Sequence, residues 1–121
     1  IMFNELFIAF EQPLVIVEGV FDAINAGGNI VPILGSTLDE QHPLFQKIIE
    51  HNTTIYLALD HDAQKKEVSI ARSLRAYGID VYKINTKGYQ DVGVMPRNIY
   101  HNRKKTAKIF TETSLLSHRL L

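Results

Sequence analysis

The sequence predicts an α/β domain, a roughly four-stranded parallel sheet flanked by helices. Three observations point there. Short apolar runs rich in strand formers, at 14–17, 30–34, 55–59 and 79–84, alternate with helix-like patterns. Each intervening stretch is long enough for the crossover that a parallel pair requires. The first and third runs also stop at carboxylates, Glu18 and Asp60-His61-Asp62, as strands do when they end at a ligand-binding edge.

Residues 5–10 (ELFIAF) read as an extra N-terminal edge strand, broken by Gln12-Pro13. Leu14-Val-Ile-Val17 is a run of the kind buried on both faces of a sheet. A helical segment from Val20 to Ala26 meets its stop at Gly27-Gly28-Asn29. The next strand, Ile30 to Leu34, contains Pro32, which cannot donate to a ladder and so belongs at an edge or a bulge. Thr37 and Glu40 have capping-box spacing for a helix reaching about His51. Pro43 then leaves two options, a separate first turn or a helix beginning at Pro43 itself. After the strand at 55–59, the stripe Val68, Ala71, Leu74, Tyr77 marks a helix, and Gly78 sits where a left-handed residue closes it. A fourth strand follows through Ile84. Residues 85–96 form a loop, and 97–120 look helical.

The chain has 121 residues, one domain's worth, with 45% hydrophobic and 21% charged residues, ordinary for a soluble globular protein. It has no cysteine, which excludes disulfides, cysteine-based zinc sites and thiol catalysis. No apolar run approaches the ~20 residues of a membrane span. Asn4, Glu5 and Glu11 interrupt the N-terminal apolar stretch, so no signal peptide is expected. Because the chain opens Ile1-Met2, it reads as a piece of a longer protein. Net charge is zero but unevenly spread. Residues 1–96 carry seven Lys/Arg against twelve Asp/Glu, and residues 97–121 carry six against one. The strip from Arg97 to Lys108, which includes Arg103, Lys104 and Lys105, is either a solvated helix face or a phosphate-contacting surface.

In an extended chain, residues i and i+2 point to one side, so Asp60 and Asp62 are expected to aim at one point. In a parallel sheet Glu18 ends at the same edge. Any one of these acids is explained as a helix cap or first-turn residue. Three together repel unless a cation sits among them. A divalent-metal site is therefore expected. Asp22 either supports it from behind or serves the helix dipole. Asp91, in the loop after the fourth strand, is either a further ligand or a turn residue. Gly19, Gly35, Ser36 and Thr37 lie in loops whose N–H groups can face an anion, though tight turns would also require them. Lys65 and Lys66 open a helix where the dipole disfavours cations, a hint of phosphate contact for exposed lysines that need none. His61 should point away from the aspartates.

With these residues in view, the pattern resembles a known family. Val17-Glu18-Gly19-Val20-Phe21-Asp22-Ala23, followed by a strand ending in Asp60-His61-Asp62, is similar to the Toprim domain of primases, type IA and type II topoisomerases, certain nucleases and recombination mediators. Pro32-Ile-Leu-Gly35-Ser36-Thr37-Leu38 is similar to a loop of the bacterial- and phage-type primases, and Ala63 and Ala71-Arg72 also suit them. The resemblance covers roughly residues 13 to 95. It implies that Glu18, Asp60 and Asp62 are catalytic and hold Mg²⁺ or Mn²⁺, with Asp91 as a further ligand and Asp22 behind them. Gly88-Tyr-Gln-Asp91-Val-Gly93 offers one acid where primases usually place more. Hard oxygen ligands favour these ions over zinc. Glu18 is alternatively a general base.

The resemblance further implies nucleotidyl transfer, a DNA primase making RNA primers from ribonucleoside triphosphates on a single-stranded DNA template. Gly19, Gly35, Ser36 and Lys65 would contact nucleotide phosphates, and Arg103, Lys104 and Lys105 the nucleic acid. A replicative helicase is the expected partner, and the cytoplasm of a bacterial cell or phage-infected host the expected location. The implied organisation is an N-terminal edge strand or linker at 1–12, a Toprim catalytic domain at 13–96 and a basic C-terminal helical segment at 97–121. The alternatives are a Toprim nuclease, a topoisomerase-type domain, a non-catalytic DNA-binding Toprim module, and a phosphoacceptor receiver. Receivers usually carry the acidic pair after the first strand, whereas here it follows the third.

Overall fold

Apolar strands buried on both faces set the architecture. The computed structural model describes residues 8–115. Along them run β1 (Leu14–Val17), α1 (Val20–Ala26), β2 (Ile30–Pro32), α2 (Pro43–His51), β3 (Ile55–Ala58), a 3₁₀ turn (His61–Ala63) and α3 (Gln64–Ala76). Then come β4 (Val81–Lys83), a second 3₁₀ turn (Val92–Val94), α4 (Arg97–Lys105) and β5 (Lys108–Ile109). The strands form one sheet in the order β2-β1-β3-β4-β5. β1 pairs in parallel with β2 and β3, and β3 with β4, while β5 runs antiparallel to β4.

Strand alternation splits the core into two layers. Leu14, Ile16, Ile55, Leu57 and Val81 face one side and pack with Leu44, Phe45 and Ile48 of α2 and Ile70, Ala71 and Leu74 of α3. Val15, Val17, Ala58 and Ile84 face the other, against Ala23 and Ala26 of α1 and Tyr100 of α4. Helices thus cover both faces of a mostly parallel sheet. The chain leaves β1 over one face and returns to β3 over the other. The carboxyl ends of β1 and β3 therefore flank a topological switch point, the crevice where open α/β sheets bind ligands.

The four expected parallel strands are present, with Pro32 on the edge strand β2. The ends of the chain differ from expectation. Ile8 to Phe10 form coil and turn, and the rest of the expected N-terminal strand lies outside the described residues. The Asn29 side chain takes the place of a strand neighbour there. It accepts the Ala9 N–H at 2.8 Å and donates to the carbonyls of Ala9 and Pro13. The long C-terminal helix stops at Lys105, because the Ile109-Phe110 segment is better used on the sheet. Phe110 is buried, and its N–H donates to the Val81 carbonyl at 2.8 Å. A helical turn follows at 112–115, and residues 116–120 of the expected helix lie outside the described residues. α2 takes the Pro43 option. His42 caps it through Nδ1, which accepts the Leu44 N–H at 3.1 Å, and Pro43 occupies the first turn.

Candidate metal centre

The site lies on the loops that leave the carboxyl ends of β1, β3 and β4. Glu18 follows β1 directly, and Gly19 then begins α1. The Asp22 carboxylate turns back along the first turn, where Oδ2 accepts the Gly19 N–H at 3.0 Å. Its Oδ1 accepts the Gly93 N–H at 2.8 Å, tying α1 to the 3₁₀ turn after β4. Gly93 is required by close approach. A Cβ there would sit 2.9 Å from Asp22 Oδ1 and 3.0 Å from Asp91 Oδ1. Two carboxylates thus lie against one backbone position.

Asp60 lies two residues past β3 and caps the His61–Ala63 turn, whose Ala63 N–H donates to the Asp60 carbonyl at 2.9 Å. Asp22, Asp60 and Asp91 each present an oxygen within 4.8 Å of the other two. The electrostatics follow. Burial, and after it the charges of Asp22, Asp91, Glu18 and Asp62, push the Asp60 carboxyl up to about 6. Asp22 is only 7% exposed, and burial raises its pKa despite the two backbone donors. Two carboxylate oxygens, Glu18 Oε2 and Asp60 Oδ1, are buried with no hydrogen-bond partner. Orphaned acceptors beside clustered carboxylates are a donor set that could hold a hard cation.

The expected residues are not all brought to one point. The strand ends at Ala58 and Asp62 falls within the 3₁₀ turn, so Asp62 is not among the three carboxylates that gather, although its charge still acts on Asp60. Asp62 is exposed and borders a cavity of about 440 Å³ together with His61, Gly88 and Tyr89. Glu18 sits at the rim of the acidic group, where its Oε1 accepts from Lys66 Nζ at 3.0 Å. Lys66, not the exposed Lys65, is the α3 lysine that reaches the centre. Asp22, read from sequence as support, is a member of the carboxylate ring itself. Its four-residue spacing from Glu18 was the signal, since one helical turn returns the side chain to the strand end.

The remaining candidates have local work. Gly35 takes a left-handed φ of 81°, and Ser36 Oγ accepts the Leu38 N–H at 3.1 Å. Their loop borders Glu18, whose carbonyl accepts the Leu34 N–H at 2.9 Å. Arg103 Nη1 donates to the carbonyls of Asn85 and Lys87, both at 2.9 Å, with its guanidinium 5.6 Å from the centre of the Tyr89 ring. Lys104 lies 5.6 Å from the centre of the Tyr56 ring, and Lys105 is exposed. No helix among the described residues is long and apolar enough to cross a membrane.

No protein-family model matches the sequence, and no curated protein does. The fold is similar to the crystal structure of the Aquifex aeolicus primase (zinc-binding and RNA polymerase domains), with a TM-score of 0.65 and 24% identity. The likeness covers 84% of this chain and 27% of that one, so this chain spans about a quarter of the solved primase fragment. It establishes the fold shared by the two.

Proposed function

We propose that this chain is the Toprim-type catalytic domain of a DNA primase, built for divalent-metal-dependent nucleotidyl transfer that makes RNA primers on single-stranded DNA. The observation that carries the reading is the ring of Asp22, Asp60 and Asp91 at the switch point, with unpartnered buried oxygens on Glu18 and Asp60. The fold likeness to a primase that contains an RNA polymerase domain adds support.

Asp22, Asp60 and Asp91 would hold the ion, with Glu18 at its edge. Carboxylate oxygens without His or Cys suit Mg²⁺ or Mn²⁺. Such an ion, when bound, supplies charge stabilisation for phosphoryl transfer. The chain's own residues do the rest. Asp22 is immobilised by two backbone N–H groups and so fixes the spacing between α1 and the Asp91 loop. Lys66 holds Glu18 by one oxygen and leaves the other free to accept a proton or complete the ligand set. The βα loops with Gly19, Gly35 and Ser36 form the bank on which nucleotide phosphates would lie, with the exposed Lys65 as a further phosphate contact. Lys104 and Lys105 of α4, with Arg103 behind them, would carry the template strand. Ribonucleoside triphosphates are the substrates, and a replicative helicase is the partner.

Mn²⁺ titration followed by thermal melting tests the metal step. The parent chain should gain stability, and the Asp22→Asn/Asp60→Asn variant should not. A parent indifferent to Mn²⁺ sinks the catalytic reading. Incubating the full-length parent with single-stranded template and ribonucleotides tests the reaction. Short RNA products support priming, whereas a shortened template marks a nuclease.

A further inference from the structure

A second polar cavity shares His61 with the one bordered by Tyr89. It has a volume of about 250 Å³ and is lined by Asp60, Gln64, Glu67, Lys83, Thr86 and Lys87, among others. Glu67, on the first turn of α3, is only 2% exposed. Its Oε2 accepts the Leu59 N–H at 2.9 Å, and its Oε1 pairs with the Lys83 ammonium. Burying an ion pair is roughly neutral for stability compared with apolar residues of the same shape. The core therefore has no need of this pair. What the pair accomplishes is placement: a carboxylate fixed from behind by a backbone donor holds an ammonium at the cavity wall. The Lys83 side chain remains 31% exposed, so its remaining donors are reachable. Lys87 lines the same cavity from a turn held by its own N–H, which donates to Asn85 Oδ1 at 2.9 Å. No carboxylate among the described residues pairs with the Lys87 ammonium.

We propose that this cavity is a diphosphate subsite, with Lys83 and Lys87 as its donors and Asp60 on its metal-facing wall. The inference rests on the nucleotidyl-transfer reading and goes further, by locating the diphosphate end of the nucleotide between α3 and β4. A diphosphate matches the chemistry: anionic oxygens meet two ammonium groups on one side and, on the other, the cation that Asp60 helps to hold. No Phe, Tyr or Trp lines this cavity, whereas Tyr89 lines the neighbouring one. The diphosphate end, not the base, therefore belongs here.

The test is calorimetric titration of inorganic pyrophosphate into the chain saturated with Mn²⁺. Lys87→Ala, an exposed-residue change, should weaken binding about tenfold, the loss of one charge-assisted hydrogen bond. Lys83→Gln should do the same. If removing the Glu67 partner impairs folding, Lys83→Met/Glu67→Gln removes both charges of that pair together and serves in its place. A ribonucleoside monophosphate should bind parent and Lys87→Ala equally. Mn²⁺ bound normally but pyrophosphate held equally by parent and lysine variants would overturn the subsite and leave the metal centre standing. Failure of the parent to bind Mn²⁺ at all would remove both.

Discussion

Asp60 is where the cost of the site is concentrated. Its carboxyl is pushed up to about 6, first by burial and then by four neighbouring acids. The folded chain therefore holds that proton more tightly than the unfolded chain, whose carboxyl titrates near 3.8. The folded state binds more protons through that window, so metal-free stability should fall as pH rises from about 4 to about 6 and stay lower above it. Asp60→Asn removes the repulsion. It should raise the metal-free Tm at pH 7.5 by roughly 4 °C, the shift that about 1 kcal/mol produces in a domain of this size, and abolish the response to Mn²⁺. Melting curves at pH 5 and pH 7.5 check both parts. Gly93 gives a second prediction. A methyl group at 2.9 Å from Asp22 Oδ1 and 3.0 Å from Asp91 Oδ1 must displace one of them. Gly93→Ala should cost roughly 1–3 kcal/mol as an overpacking change and weaken Mn²⁺ binding, read by denaturant unfolding and by calorimetry.

At the scale of elements, α4 acts on the centre through a loop. Arg103 grips the carbonyls of Asn85 and Lys87, the start of the segment that ends at Asp91. The other end of that segment is tied where the His61 N–H donates to the Gln90 carbonyl at 3.1 Å. Arg103→Ala should leave the melting transition cooperative, speed amide exchange over 85–91, and weaken Mn²⁺ binding by several-fold. Exchange mass spectrometry and calorimetry read the two effects. The parallel strands and their connections were legible in sequence, because apolar runs and crossover lengths are local signals, and of the edge or bulge read for Pro32 the sheet takes the edge. β5 was not legible, since two exposed strand residues following a basic helix look like its continuation. That Asp62 stands outside the group of three was missed for a similar reason. Alternation describes a strand, and nothing in His61-Asp62-Ala63 announced the 3₁₀ turn. That Glu18 and Asp60 share one edge followed from topology alone. That Asp22 and Asp91 close the ring depends on the Gly93 contact, which joins residues 71 positions apart.

For the whole molecule, the switch point between β1 and β3 explains why the acids gather where they do. The charge distribution adds a direction. Residues 1–96 carry seven Lys/Arg against twelve Asp/Glu, while 97–121 carry six against one. Lys104→Glu/Lys105→Glu should weaken single-stranded DNA binding and reduce its salt slope by about one to two, measured by fluorescence anisotropy across a salt series. The claim beneath all of this is that Asp22, Asp60 and Asp91 share one divalent ion. Anomalous diffraction from crystals soaked in Mn²⁺ tests it most directly. The account predicts a peak among those three carboxylates, within about 2.0–2.6 Å of their oxygens and absent from Asp60→Asn crystals. A peak on Asp62 alone, or none near β1 and β3, would contradict it.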